Sequence, residues 1–78
     1  MGTVVRFRDV KIVIRTNDHN PPHVHVIRGD AQAKIEIMSR KIYYSHQFSK
    51  SDLRRIVEFL ASQEELLLEA WNEIHEKD

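Results

Sequence analysis

Residues 23–36 read HVHVIRGDAQAKIE, two alternating segments joined by Gly29-Asp30. A Gly-Asp pair between β-rich segments is a tight hairpin signal. If Gly29-Asp30 is a two-residue loop, Arg28 faces Ala31, Val26 faces Ala33 and Val24 faces Ile35. Those pairs are apolar below the turn, as one buried face requires. The other face then pairs His25 with Lys34 and His23 with Glu36. A one-residue slip would mix the two sets, so the pattern selects this register.

The reading extends outward from the hairpin. Val10, Ile12 and Ile14 alternate with Lys11, Val13 and Arg15, a period of two that predicts another strand. Thr3 to Phe7 predicts an earlier strand, turned at Arg8-Asp9. The stretch TNDHNPP interrupts the pattern, because proline donates nothing to a ladder and Asn and Asp favour turns. Ala31 to Met38 keeps the alternation, and Ile42 to Phe48 predicts a shorter strand after Ser39-Arg40.

From residue 49 the period changes. Leu53, Ile56, Val57 and Leu60 form a helical stripe, with Ser49 or Ser51 available as its cap. Leu67, Ala70, Trp71 and Ile74 form a second stripe. Ser62 and Glu65 have capping-box spacing, which predicts a break between Ala61 and Gln63. Trp71 reads as a core anchor. The expected architecture is α+β: an antiparallel sheet of three to five strands, one face covered by two C-terminal helices and the other partly open.

Composition narrows the class. A length of 78 residues predicts one domain over residues 1–78. Without cysteine there is neither a disulfide nor a thiolate metal site. A hydrophobic share of 41% and only four Gly plus Pro argue against disorder. No apolar run approaches the roughly 20 residues of a membrane span, and charges interrupt the N-terminus where a signal peptide needs an apolar core. The expectation is a soluble cytoplasmic protein. The zero net charge hides an asymmetry: residues 1–50 carry nine Lys/Arg against four Asp/Glu, and residues 51–78 carry three against eight. Acidic helices attracted to a basic sheet explain this simply, while a basic half also permits nucleic-acid contact.

The concentrated chemistry lies in DHNPPHVHV, where His19, His23 and His25 fall within seven residues. His23 and His25 are two apart on a strand, so they project from the same face, away from Val24 and Val26. Asp18 and His19 sit on the loop before them, stiffened by Pro21-Pro22. Four readings follow. The first is a zinc, nickel or copper site on His23 and His25, with His19 or Asp18 as a third ligand. The second is metal-free acid–base chemistry, with His23 as base, His25 as acid and Glu36 orienting His23. Lys34, Lys11 or Arg15 would then hold an anion such as an RNA phosphate. The third is a recognition surface for protein or nucleic acid. The fourth is structural, with the imidazoles satisfied by loop carbonyls. His46 and His75 are isolated and read as bland. The alternation HVHVI also invites comparison with the histidine-triad nucleotide hydrolases, but only two histidines alternate and Pro21 stands where a third would be.

KIVIRTNDHNPPHVHV, the Gly turn, AKIEI and the helical end LLLEAW together resemble a small bacterial family known as domain of unknown function 4160. Its most specific segment, H-x-x-P-H-x-H, is matched by His19, Pro22, His23 and His25. The resemblance implies a gene pair of toxin–antitoxin type and therefore a small protein partner encoded nearby. On that basis the expected function is one component of such a module, acting through the histidine loop and strand, with RNA as a candidate substrate and no membrane role. The alternative is a non-enzymatic module that binds a metal or a protein partner.

Overall fold

The computed structural model describes residues 3–75, with side chains from Val5 onward. Five strands form one antiparallel sheet in the order β1-β2-β3-β4-β5: β1 (Thr3–Phe7), β2 (Val10–Ile14), β3 (His23–Arg28), β4 (Ala31–Glu36) and β5 (Ile42–His46). Two helices follow, α1 (Lys50–Ser62) and α2 (Glu64–His75). The α+β expectation holds, at the upper end of its strand count. No helix among the described residues is long and apolar enough to cross a membrane.

The β3–β4 register is the one the alternation selects: Val24 faces Ile35, Val26 faces Ala33, His25 faces Lys34 and His23 faces Glu36. Gly29 makes the turn with φ +59°, a conformation in which glycine meets no Cβ penalty. Arg8 takes the equivalent left-handed position, φ 58°, between β1 and β2. At the β4–β5 pairing the register shifts between Lys34, which faces Tyr44, and Ile35, which faces Ile42. Tyr43 is thus the extra residue of a bulge.

Val10, Ile12, Ile14, Val24, Val26, Ala33, Ile35 and Ile37 supply the sheet side of the core; Ile56, Leu60, Leu67 and Trp71 supply the helix side. Phe7 stacks on Phe59 with centroids 4.4 Å apart, seating α1 against the β1 edge. Two ion pairs join the sheet half of the chain to the helices. Arg28 Nη2 donates to Asp52 Oδ2 at 2.9 Å, and Arg40 Nη1 donates to Glu64 Oε1 at 2.8 Å.

Ser49 is the cap of α1. Its hydroxyl accepts from the Asp52 amide, and the Asp52 carboxylate accepts from the Ser49 amide. The chain breaks at Gln63, inside the expected window, but not through a Ser62 capping box. The Ser62 hydroxyl turns back to donate to the Phe59 carbonyl at 2.7 Å, and the Gln63 carbonyl accepts the Leu67 amide.

The face opposite the helices is open only in part. All of β5 is exposed. Over β3, however, His23 and His25 are buried, at 4% and 9% relative exposure. The Arg15–Pro22 loop folds back and sets Asp18 against both rings.

Candidate metal centre

Strand periodicity places the two histidines side by side. His23 and His25 share one face of β3, with ring centroids 5.2 Å apart in an edge-on arrangement. Asp18 reaches them from the loop. Its Oδ2 lies 3.3 Å from His23 Nε2 and 3.2 Å from His25 Nε2. These three donor atoms all lie within 4.8 Å of one another.

The hydrogen bonds around the cluster set its protonation pattern. His23 Nδ1 is 2.9 Å from the Pro21 carbonyl oxygen. A carbonyl only accepts, so Nδ1 carries the proton, and in the neutral ring Nε2 presents a lone pair toward Asp18. Asp18 Oδ2 and His25 Nε2 are both buried and, although close, make no hydrogen bond of good geometry. Burial lowers the pKa of His25 from its ordinary 6.5, and the positive charge of Arg15 lowers it further, against the opposing pull of Asp18. The His25 ring is therefore biased to its neutral, ligating form.

A hollow of about 270 Å³ opens beside the cluster, lined by Asp18 and His23, by Asn17, His19, Asn20 and Pro21 of the loop, and by Lys34 and Tyr43 of the sheet. The Asn20–Pro21 peptide in its wall is cis. Lys34 and Lys41 both place their ammonium groups over the Tyr43 ring, at 5.3 and 5.4 Å from its centroid. The Tyr43 hydroxyl donates to Glu36 Oε1 at 2.8 Å, which raises the tyrosine pKa.

The sequence candidates separate on this map. His23, His25 and Asp18 come together. His19 is exposed and lines the hollow; Asp18, not His19, is the third member of the donor cluster. Lys34 neighbours His25 across β3–β4 and borders the hollow. Arg15 is exposed but close enough for its charge to act on His25. Lys11 pairs with Ile27, toward the hairpin end of β3 and away from His23. Glu36 does not orient His23: both imidazole nitrogens face other atoms, Pro21 O and Asp18 Oδ2, and Glu36 takes the Tyr43 hydroxyl instead. Sequence reasoning missed Tyr43, whose place depends on the bulge. It also missed the approach of Trp71, whose ring lies 5.4 Å from that of His23.

What the arrangement offers chemically is three potential donor atoms, one carboxylate oxygen and two imidazole nitrogens, converging beside a polar hollow. Ligands about 2.0 Å from a tetrahedral ion stand about 3.3 Å apart. The two Asp18 edges of the cluster, 3.2 and 3.3 Å, are close to that spacing, within a group whose donor atoms all lie within 4.8 Å of one another. The His23 Nδ1–H to carbonyl bond is the kind of outer contact that fixes a ligating imidazole's tautomer.

Neither the curated proteins nor the solved structures contain a match to the chain. A family model described as domain of unknown function (DUF4160) matches residues 10–72, which takes in the cluster, the hollow, the first helical stripe and the second as far as Trp71, and the chain belongs to that family.

Proposed function

We propose that this protein is a metal-binding module that holds one divalent transition ion of the zinc class through Asp18 Oδ2, His23 Nε2 and His25 Nε2. The observation that carries this reading is the pair of buried, unbonded atoms, Asp18 Oδ2 and His25 Nε2, 3.2 Å apart. A buried polar atom left unsatisfied costs about 1–3 kcal/mol. A cation between the donors would remove that cost for both. Two imidazoles and one carboxylate suit zinc, and three protein ligands leave a coordination position for water or a ligand.

The test is a titration of Zn²⁺ into chelator-stripped protein, read by imidazole NMR and by Trp71, the one tryptophan of the chain. Saturation at one equivalent with micromolar or tighter affinity, lost in His25→Ala, supports the reading. Unchanged histidine signals would sink it. Because ligating imidazoles must be unprotonated, affinity should fall as pH drops through the His25 pKa, which burial holds below its ordinary 6.5.

A second reading comes from the family resemblance: a toxin–antitoxin-type component acting on RNA, with His23, His25 and Lys34 as acid–base and phosphate-holding groups. The half-buried Lys34 beside the histidines favours it. Their burial behind Asp18 favours the metal reading over it. If His23→Ala remains folded and arrests growth as the parent does, that second reading is excluded.

A further inference from the structure

The hollow beside the cluster has a composition that the metal reading alone leaves unused. Its lining includes Asp18 and His23 of the cluster. It also includes Lys34, with no carboxylate within salt-bridge distance among the described residues and its ammonium over the Tyr43 ring. The loop residues Asn17, His19 and Asn20 add polar groups to the same wall. Lys41, at the far side of the bulge, adds a second ammonium over the same ring. Glu36, on the Tyr43 hydroxyl, offsets one of these charges, which leaves the Lys34 ammonium at the wall of the hollow as a group that favours an anion.

We infer that this hollow binds a phosphate group, with one oxygen on the metal ion and another on the Lys34 ammonium. The inference rests on the metal reading above. The geometry also fixes an order of binding. Without a cation, the negative charge of Asp18 at the wall of the hollow repels an anion. With the ion bound, the sign of that wall reverses, because a bound divalent ion is the largest local charge. Phosphate affinity is therefore coupled to metal occupancy, and linkage requires each ligand to strengthen the other by the same factor. Asn17, His19 and Asn20 supply hydrogen-bonding groups for the remaining oxygens.

The experiment uses the full chain in three forms, metal-stripped, zinc-loaded and zinc-loaded Lys34→Met. Each is titrated with inorganic phosphate, adenosine 5′-monophosphate and adenosine, followed by calorimetry and by imidazole NMR. Zinc-loaded protein should bind both phosphate-bearing probes at least about tenfold more tightly than stripped protein, the size of an ordinary coupling between sites. Adenosine alone should not bind. Lys34→Met keeps the aliphatic stem and should lose at least about tenfold in phosphate affinity while retaining its zinc site; Lys34→Arg should restore much of that loss. Equal affinity for both phosphate-bearing probes identifies the free phosphate group as the ligand. Tighter binding of the nucleotide identifies a phosphate ester with contacts beyond the phosphate. If zinc binds as proposed but phosphate does not, or Lys34→Met binds phosphate undiminished, the phosphate inference falls and the metal reading stands. If zinc fails to bind at Asp18, His23 and His25, both fall.

Discussion

Asp18 Oδ2 and His25 Nε2 sit 3.2 Å apart without a hydrogen bond, in a chain whose core is small. That contact gives Asp18→Asn opposite effects on the two states of the protein. In stripped protein the substitution removes a buried negative charge and supplies an amide donor for His25 Nε2, so stability should be unchanged or higher by about 1 kcal/mol. With zinc present the same variant should lose most of its ligand-induced stabilisation, because an amide oxygen is a far weaker ligand than a carboxylate. Thermal melts with and without zinc measure both effects. A variant destabilised equally in both states would show that Asp18 is structural only. Asp52 offers a separate test at the residue scale. Its pKa is lowered from 3.8 by the hydrogen bond from Arg28 and by the Ser49 amide. A carboxylate with a depressed folded pKa contributes stability above its unfolded value and loses it as pH falls through the folded one. Chemical melts from pH 5 down to pH 2 should therefore show a steeper loss for the parent than for Asp52→Asn.

At the scale of elements, the β3–β4 hairpin and the α1 cap are local devices and should respond as such. Gly29 has φ +59° and a Cβ there would meet nothing within 4 Å. Gly29→Ala therefore tests backbone conformation alone and should cost about 1–2 kcal/mol, read by urea denaturation; no change would show that the turn can relax. Ser49→Ala removes the acceptor for the Asp52 amide and should cost about 1 kcal/mol. The Asp18–His23–His25 cluster depends on both a strand and a loop. β3 supplies two side chains at fixed spacing, while the Arg15–Pro22 loop supplies the third, held by the Ile37 amide donating to the Pro22 carbonyl at 3.0 Å.

For the whole molecule, the helix pair and the histidine strand are mechanically joined. Trp71 is buried in the core, stacks on His75 at 3.9 Å and lies 5.4 Å from His23. Its emission should therefore respond to metal at His23, with Cu²⁺ or Ni²⁺ quenching it and His23→Ala removing the quenching. Absence of quenching at saturating metal would place the ion elsewhere. Leu60, fully buried between helix and sheet, is the complementary test of the core. Leu60→Ala should cost about 2–5 kcal/mol, a large part of what a domain of this size has available. The charge asymmetry finds its structural expression at this scale too, in Arg28–Asp52 and Arg40–Glu64, each joining the basic half of the chain to the acidic half.

Periodicity and turn chemistry made the sheet readable. Val24, Val26, Ala33 and Ile35 had to share one face because alternation and the Gly29-Asp30 turn act over a few residues, and the same logic put His23 and His25 together on the other. The stripe through Leu53, Ile56 and Leu60 likewise fixed which side of α1 would be buried. No such period governs a loop. Whether Asp18 or His19 would turn inward depended on the path of Arg15–Pro22 over β3, and only the folded chain decided for Asp18. The bulge at Tyr43, the capture of Glu36 by its hydroxyl, and the reach of Trp71 to His23 join residues on different elements. Local pattern assigns side chains to faces; contacts between distant elements are fixed only when tertiary packing sets those elements side by side.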